Sequence, residues 1–183
     1  DSTGFELYIG DDGESVALGR QSVHTHCICG TEYTNSGHSQ HENITFKPWT
    51  ATDSLPQEGN YYLTRSVTLN DAGQDNNLID ANICLNGYTV TILNSAYIGI
   101  GADHKGSLTD CTGRGTVTGG YIDVSYGGMF SLFGGTLNGT YVSISQSGGT
   151  FNLYGGEISG NRNTSENGGG VYVGQGNKFN MYG

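Results

Sequence analysis

Proline is nearly missing from this chain of 183 residues, with only two, and basic side chains are scarce, with seven Lys plus Arg against seventeen Asp plus Glu. The shortage of proline excludes a collagen or a Pro-rich linker, although glycine is abundant at 32 residues. A formal net charge of −10 argues against nucleic acid, whose phosphates need clustered Lys and Arg, and against anionic lipid. No run of 18 apolar residues exists, so no membrane-inserted helix is expected. Charged residues make up only 13% of the chain, too few for disorder driven by charge repulsion, and Tyr, Ile, Val, Leu and Phe recur at regular places. With 34% hydrophobic residues, the chain can bury one elongated core, or one core and a small appendage.

What is present is a repeat. GGMFSLFGGTLNG at 127–139 returns as GGTFNLYGGEISG at 148–160, and again as KFNMYG at the end. Phe130 and Phe151 are 21 residues apart, Phe151 and Phe179 are 28 apart, and the excess of 7 matches the polar insert NRNTSEN at 161–167. A period of this length with short alternating segments, Gly-rich corners and no helical spacing predicts an all-β parallel β-helix, or β-solenoid.

Each coil reads as three short strands. One column is Ile98-x-Ile100, Ile122-x-Val124, Val142-x-Ile144 and Val171-x-Val173. A second is Leu108-x-Asp110, Phe130-x-Leu132, Phe151-x-Leu153 and Phe179-x-Met181, and a third is Val90-x-Ile92, Val117, Leu137 and Ile158. Alternate residues face inward, and glycines such as Gly134 and Gly135 take the corners. The general crossover preference makes the winding right-handed. Tyr61 to Leu69 is expected to be a first, less regular strand pair. Residues 61–183 are thus the β-helix and residues 1–60 its N-terminal cap, since solenoids need an atypical unit over the open end of the core. The repeat stops mid-coil, which predicts a fragment truncated at its C-terminal end and capable of stacking end to end with itself.

The cap region concentrates metal-binding chemistry. His24-Thr-His26-Cys27-Ile-Cys29 is followed by His38 and His41, a density of thiols and imidazoles that suits a tetrahedral zinc ion. The expected ligands of a structural Zn2+ site are Cys27, Cys29, His38 and His41, with His24 or His26 as substitutes; Gly30 and Gly37 would permit the tight turns. Calcium in acidic turns such as residues 71–75 stays open as a second ion. Cys84 and Cys111 are 27 residues apart, like Val90 and Val117, which puts them at one position of successive coils, in a column continued inward by Phe133, Tyr154 and Tyr182. They form either a disulfide or a stacked pair of free buried thiols.

Parallel β-helices often carry polysaccharide lyases and hydrolases, whose chemistry needs converging carboxylates. Asp103, Asp110 and Asp123 are the acidic candidates on the early coils, but their positions in the repeat do not demand convergence. Tyrosines at strand edges and corners are better placed to bind sugars or a protein partner. Tyr121, Tyr126, Tyr141 and Tyr172 are the candidate ligand-binding residues, with Asn161 and Asn163 in the loop insertion.

The runs HTHCICG, TATDSLPQEGNYYLTRSVTL, CLNGYTVTI, GSLTDCTGRGTVTGG and GGTFNLYGGEISGN…NGGGVYV resemble large repetitive β-helix surface proteins of gut Firmicutes, a resemblance that extends over residues 23–183, most of the chain. The resemblance implies an exported, cell-wall-anchored adhesin-like protein whose partner is a host glycan or a host protein such as mucin or immunoglobulin. It supplies no catalytic residue. A non-enzymatic surface adhesion module is therefore the expectation, with a polysaccharide lyase or hydrolase, or a structural stalk, as alternatives.

Overall fold

The computed structural model describes residues 5–9, 16–20, 24–28, 43–70, 76–161 and 169–182. Every regular element among them is a β-strand. Strands are numbered in chain order. An antiparallel pair, β1 (Phe5–Ile9) and β2 (Val16–Arg20), forms a sheet of its own. The remaining strands wind into a β-solenoid of about four turns with three parallel sheets.

One sheet stacks β9 (Ile98–Ile100), β12 (Tyr121–Val124), β15 (Tyr141–Ile144) and β18 (Val171–Val173). A second stacks β6 (Val67–Leu69), β8 (Thr89–Ile92), β11 (Thr116–Thr118), β14 (Thr136–Asn138) and β17 (Glu157–Ser159). The third runs β3 (His24–Cys27), β4 (Asn43–Trp49), β5 (Gly59–Leu63), β7 (Ala81–Cys84), β10 (Lys105–Thr109), β13 (Met129–Leu132), β16 (Thr150–Leu153) and β19 (Lys178–Met181). All neighbours in it are parallel except β3, which lies antiparallel on β4.

The core follows from the strand period of two. Ile98, Ile122 and Val142 stack at one register, Val90, Val117 and Leu137 at another, and all are buried. Phe130 and Phe151 stack inside with ring centroids 5.2 Å apart. Outside the same sheet a polar ladder continues across coils: the Asn82 amide donates to Asn60 (2.8 Å), Ser107 donates to Asn82 (2.5 Å), and Asn180 donates to Asn152 (2.8 Å).

Two of the three strand columns have the register expected from the sequence. The third is shifted by two residues at one strand. Leu108 pairs with Leu132, and Phe130 pairs with Gly106. The reason is steric: a Cβ on Gly106 would meet Ile100 and Leu78 side chains at 2.9 Å. Those side chains fill, in this coil, the space that a phenylalanine fills in the next. The parallel ladder also begins earlier than expected, with Lys47 opposite Tyr61, inside the region assigned to the cap.

Candidate metal centre

The register shift separates the two cysteines of the solenoid. Cys84 ends β7 and faces Thr109, 25 residues on, rather than Cys111. Residues 110–115 form a six-residue turn between β10 and β11 where the preceding coil uses four, residues 85–88, between β7 and β8. Cys111 sits in that longer turn. Asp110 shapes the turn: its carboxylate accepts the backbone N–H of Gly87 (2.7 Å), Thr112 (3.2 Å), Arg114 (2.9 Å) and Gly115 (3.1 Å), and the Thr112 hydroxyl (3.0 Å). Burial alone would raise its pKa, but these donors outweigh it and hold the carboxyl below its ordinary range. The turn brings the Cys111 sulfur back to 3.6 Å from that of Cys84.

Both cysteines are free thiols, so the disulfide gives way to the free-thiol alternative. They also do not point into the core. Ala81 and Ile83 of β7 join the apolar core cluster and Cys84 does not, so alternation turns its side chain to the outer face. Phe133, Tyr154 and Tyr182 likewise stack outside, at 4.8 and 4.6 Å, with Tyr182 40% exposed.

Cys84 is nevertheless fully buried, because β3 brings His24 to it. In β3, His24 and His26 are two residues apart and share a face, while Thr25 between them is exposed. The His24 ring stacks on Tyr62 of β5 at 4.3 Å, and the His26 ring stacks on Phe46 of β4 at 4.5 Å. His24 Nε2 lies 3.4 Å from the Cys84 sulfur, 3.6 Å from the Cys111 sulfur and 3.1 Å from His26 Nε2. The four ligand atoms all fall within 4.8 Å of one another. His26 Nδ1 is 2.6 Å from the Cys27 carbonyl, an acceptor that fixes the proton on Nδ1 and leaves Nε2 its lone pair, as the outer partner of a metal-binding histidine does.

This His2Cys2 group can hold a metal ion. Burial, reinforced by His26, lowers the His24 pKa and keeps the ring in the neutral form that binds metal. Burial raises both thiol pKa values, with the neighbouring thiol adding to this at Cys84. A cation between the sulfurs supplies the charge that would make thiolates stable there.

The centre differs from the expected ligand set. Cys27 is disulfide-bonded, and a sulfur in that bond has no thiolate to offer. Cys29, His38 and His41 lie outside the described residues, as do Asn163 and the acidic turn at 71–75. The two substitutes named from the sequence, His24 and His26, are the ones brought to a cluster. Their partners are the cysteine pair read from the repeat. What joins the two pairs is side-chain contact across 60 and 87 residues of chain. The available signal was the spacing His-x-His, which aims two imidazoles from one strand face.

The other candidates are dispersed. Asp103 is in an exposed turn at φ 64°, Asp110 is spent on its own turn, and Asp123 of β12 accepts from the Ser145 hydroxyl at 3.4 Å. Tyr121 and Tyr141 stack in a ladder with Tyr97 at 5.1 and 5.3 Å, so their faces are turned to each other. Tyr172 is half-buried in β18. The Asn161 amide donates to the Ser159 carbonyl at 3.3 Å, and Tyr126 is 64% exposed. Comparison with known protein families, with curated proteins and with solved structures finds no match to this chain.

Proposed function

We propose that this chain is a non-enzymatic, extracellular ligand-binding module of a bacterial surface protein, a β-solenoid whose first strands are fastened by a structural zinc ion at His24, His26, Cys84 and Cys111. The spacing of the four ligand atoms carries the zinc assignment. Zn–S bonds of about 2.3 Å and Zn–N bonds of about 2.05 Å set tetrahedral edges of about 3.8 Å for S–S, about 3.5 Å for S–N and about 3.3 Å for N–N. Four of the six separations are 3.6 Å for S–S, 3.4 and 3.6 Å for the sulfurs to His24, and 3.1 Å for N–N; the two from His26 to the sulfurs fall within 4.8 Å. Two soft sulfurs and two imidazoles favour zinc over calcium or magnesium, and four protein ligands leave no open position for a catalytic water.

An extracellular setting also bears on the thiols. Two free sulfurs this close would oxidise there unless a metal held them. Scarce lysine and a surface of Ser, Thr, Asn and Tyr support a partner that is a host glycan or a secreted host protein.

Elemental analysis of the natively purified chain is the test. One zinc per chain is expected, and His24→Ala or Cys111→Ser should lower occupancy at least tenfold. With free zinc at a thousand times its Kd, chelation should remove about 4 kcal/mol of stability. A metal-free protein whose thermal midpoint ignores both zinc and chelator would overturn the centre. Binding to an array of glycans and host proteins tests the partner, and a flat profile would favour a spacer.

A further inference from the structure

Tyr126 occupies a position that neither packing nor backbone preference explains. Its φ is +49°, followed by Gly127 at +81°. Two successive positive φ values are the signature of a type I′ turn, which Asn-Gly adopts readily. The solenoid uses that solution one sheet away, where Asn86 and Gly87 have φ values of +51° and +81°. A bulky aromatic residue in this region is sterically disfavoured, and Tyr126 gains no burial in return, being 64% exposed. Strain that stability does not repay is the kind found at ligand sites.

The turn has a second unusual neighbour. Ala102 and Asp103, one coil earlier, also have positive φ, +50° and +64°, and the Asp103 N–H donates to the Tyr126 carbonyl at 3.1 Å. Beside these stacked turns lies a groove of about 280 Å³. Its lining includes the apolar Leu78 and Ala102, the polar His104, Asp123 and Ser125, and Tyr126. A carboxylate, a hydroxyl, an imidazole and a tyrosine lining one groove together with apolar side chains match a sugar ring. A pyranose has one C–H face to stack and a rim of hydroxyls to donate and accept. The net charge of −10 and the Asp123 carboxylate disfavour sialylated or sulfated sugars.

We infer that Tyr126 and this groove form a subsite for a neutral pyranose unit of a glycan, with Tyr126 as the stacking platform and Asp123 as the hydroxyl acceptor. The inference rests on the ligand-binding reading above and names its site.

The full chain, metal-loaded, is titrated against neutral, sialylated and sulfated oligosaccharides by array and calorimetry. The wild type should bind neutral glycans. Tyr126→Asn should weaken that binding at least tenfold while raising the thermal midpoint, since asparagine suits the turn. Asp123→Asn should also weaken binding, Tyr126→Phe should keep most of it, and Tyr88→Ala, at an exposed tyrosine elsewhere, should leave it unchanged. A lower midpoint for Tyr126→Asn would make the residue structural and overturn the inference. Glycan binding indifferent to Tyr126 and Asp123, or confined to acidic glycans, would overturn the subsite and leave the ligand-binding reading standing. No binding to any glycan or host protein would remove both.

Discussion

Asp110 is the residue on which the proposed metal centre depends without being a ligand. One carboxylate gathers four backbone N–H groups and a hydroxyl, and the turn it organises is what returns the Cys111 sulfur to Cys84. Replacing it by asparagine turns one acceptor oxygen into a donor that faces other donors. Asp110→Asn should therefore cost about 2–4 kcal/mol in a urea titration and weaken zinc binding as well. The pH dependence follows from the same donors. Its folded pKa lies below the ordinary value of 3.8, so the unfolded chain takes up the proton first. This contribution is complete above that value and is lost as pH falls through the folded pKa. The wild type should lose more stability than Asp110→Asn between about pH 6 and about pH 3. Asp110 read from the sequence as one of three acidic candidates for polysaccharide chemistry, because the donors it meets come from a turn whose length only the register reveals. His24 and His26 were legible as metal-binding residue types, but their partners lie up to 87 residues away, and sequence density cannot report a distant pair.

At the scale of elements, the strand columns were legible where an apolar residue alternates on every coil. Ile98, Ile122 and Val142 are buried and Val171 packs partly buried against them on the same face, and a slip of one residue would expose that face. The column through β10 failed because it has Gly106 where β13 and β16 have phenylalanine, and apolar pattern alone then favours Leu108 as the match. Volume decides otherwise, since Leu78 and Ile100 already occupy the site. Restoring the repeat by Gly106→Phe should thus destabilise the solenoid by about 3 kcal/mol or more through overpacking, measured by chemical denaturation. Phe151→Ala, at a position that follows the repeat, should cost about 3–5 kcal/mol by cavity formation. The Cys84–Cys111 alignment failed for a related reason: a spacing of 27 holds between β8 and β11, while β7 and β10 are offset by 25, the difference being absorbed in the turn.

Across the whole molecule, the two ends of the solenoid are treated differently. At the first coils, β3 and β4 extend the third sheet and aromatic rings cover its outer face. At the last described coil β17, β18 and β19 each pair on one side among the described residues, and Val173, Phe179 and Met181 are exposed. Open strand edges beside exposed apolar side chains promote pairing between copies. For a chain of these 183 residues, sedimentation should show concentration-dependent association, reduced by Val173→Lys with Met181→Lys; a monomer at every concentration would count against it. An ion in the proposed metal centre would have a mechanical consequence. An ion bridging His24 and Cys111 closes a loop spanning 87 residues, a contour of about 300 Å when extended. Tension applied upstream of β3 would pass through the metal–ligand bonds into β7 and the turn before β11, bypassing the coils between. Those coils would hold their length under load until the bonds rupture, and the slack would then appear in one step.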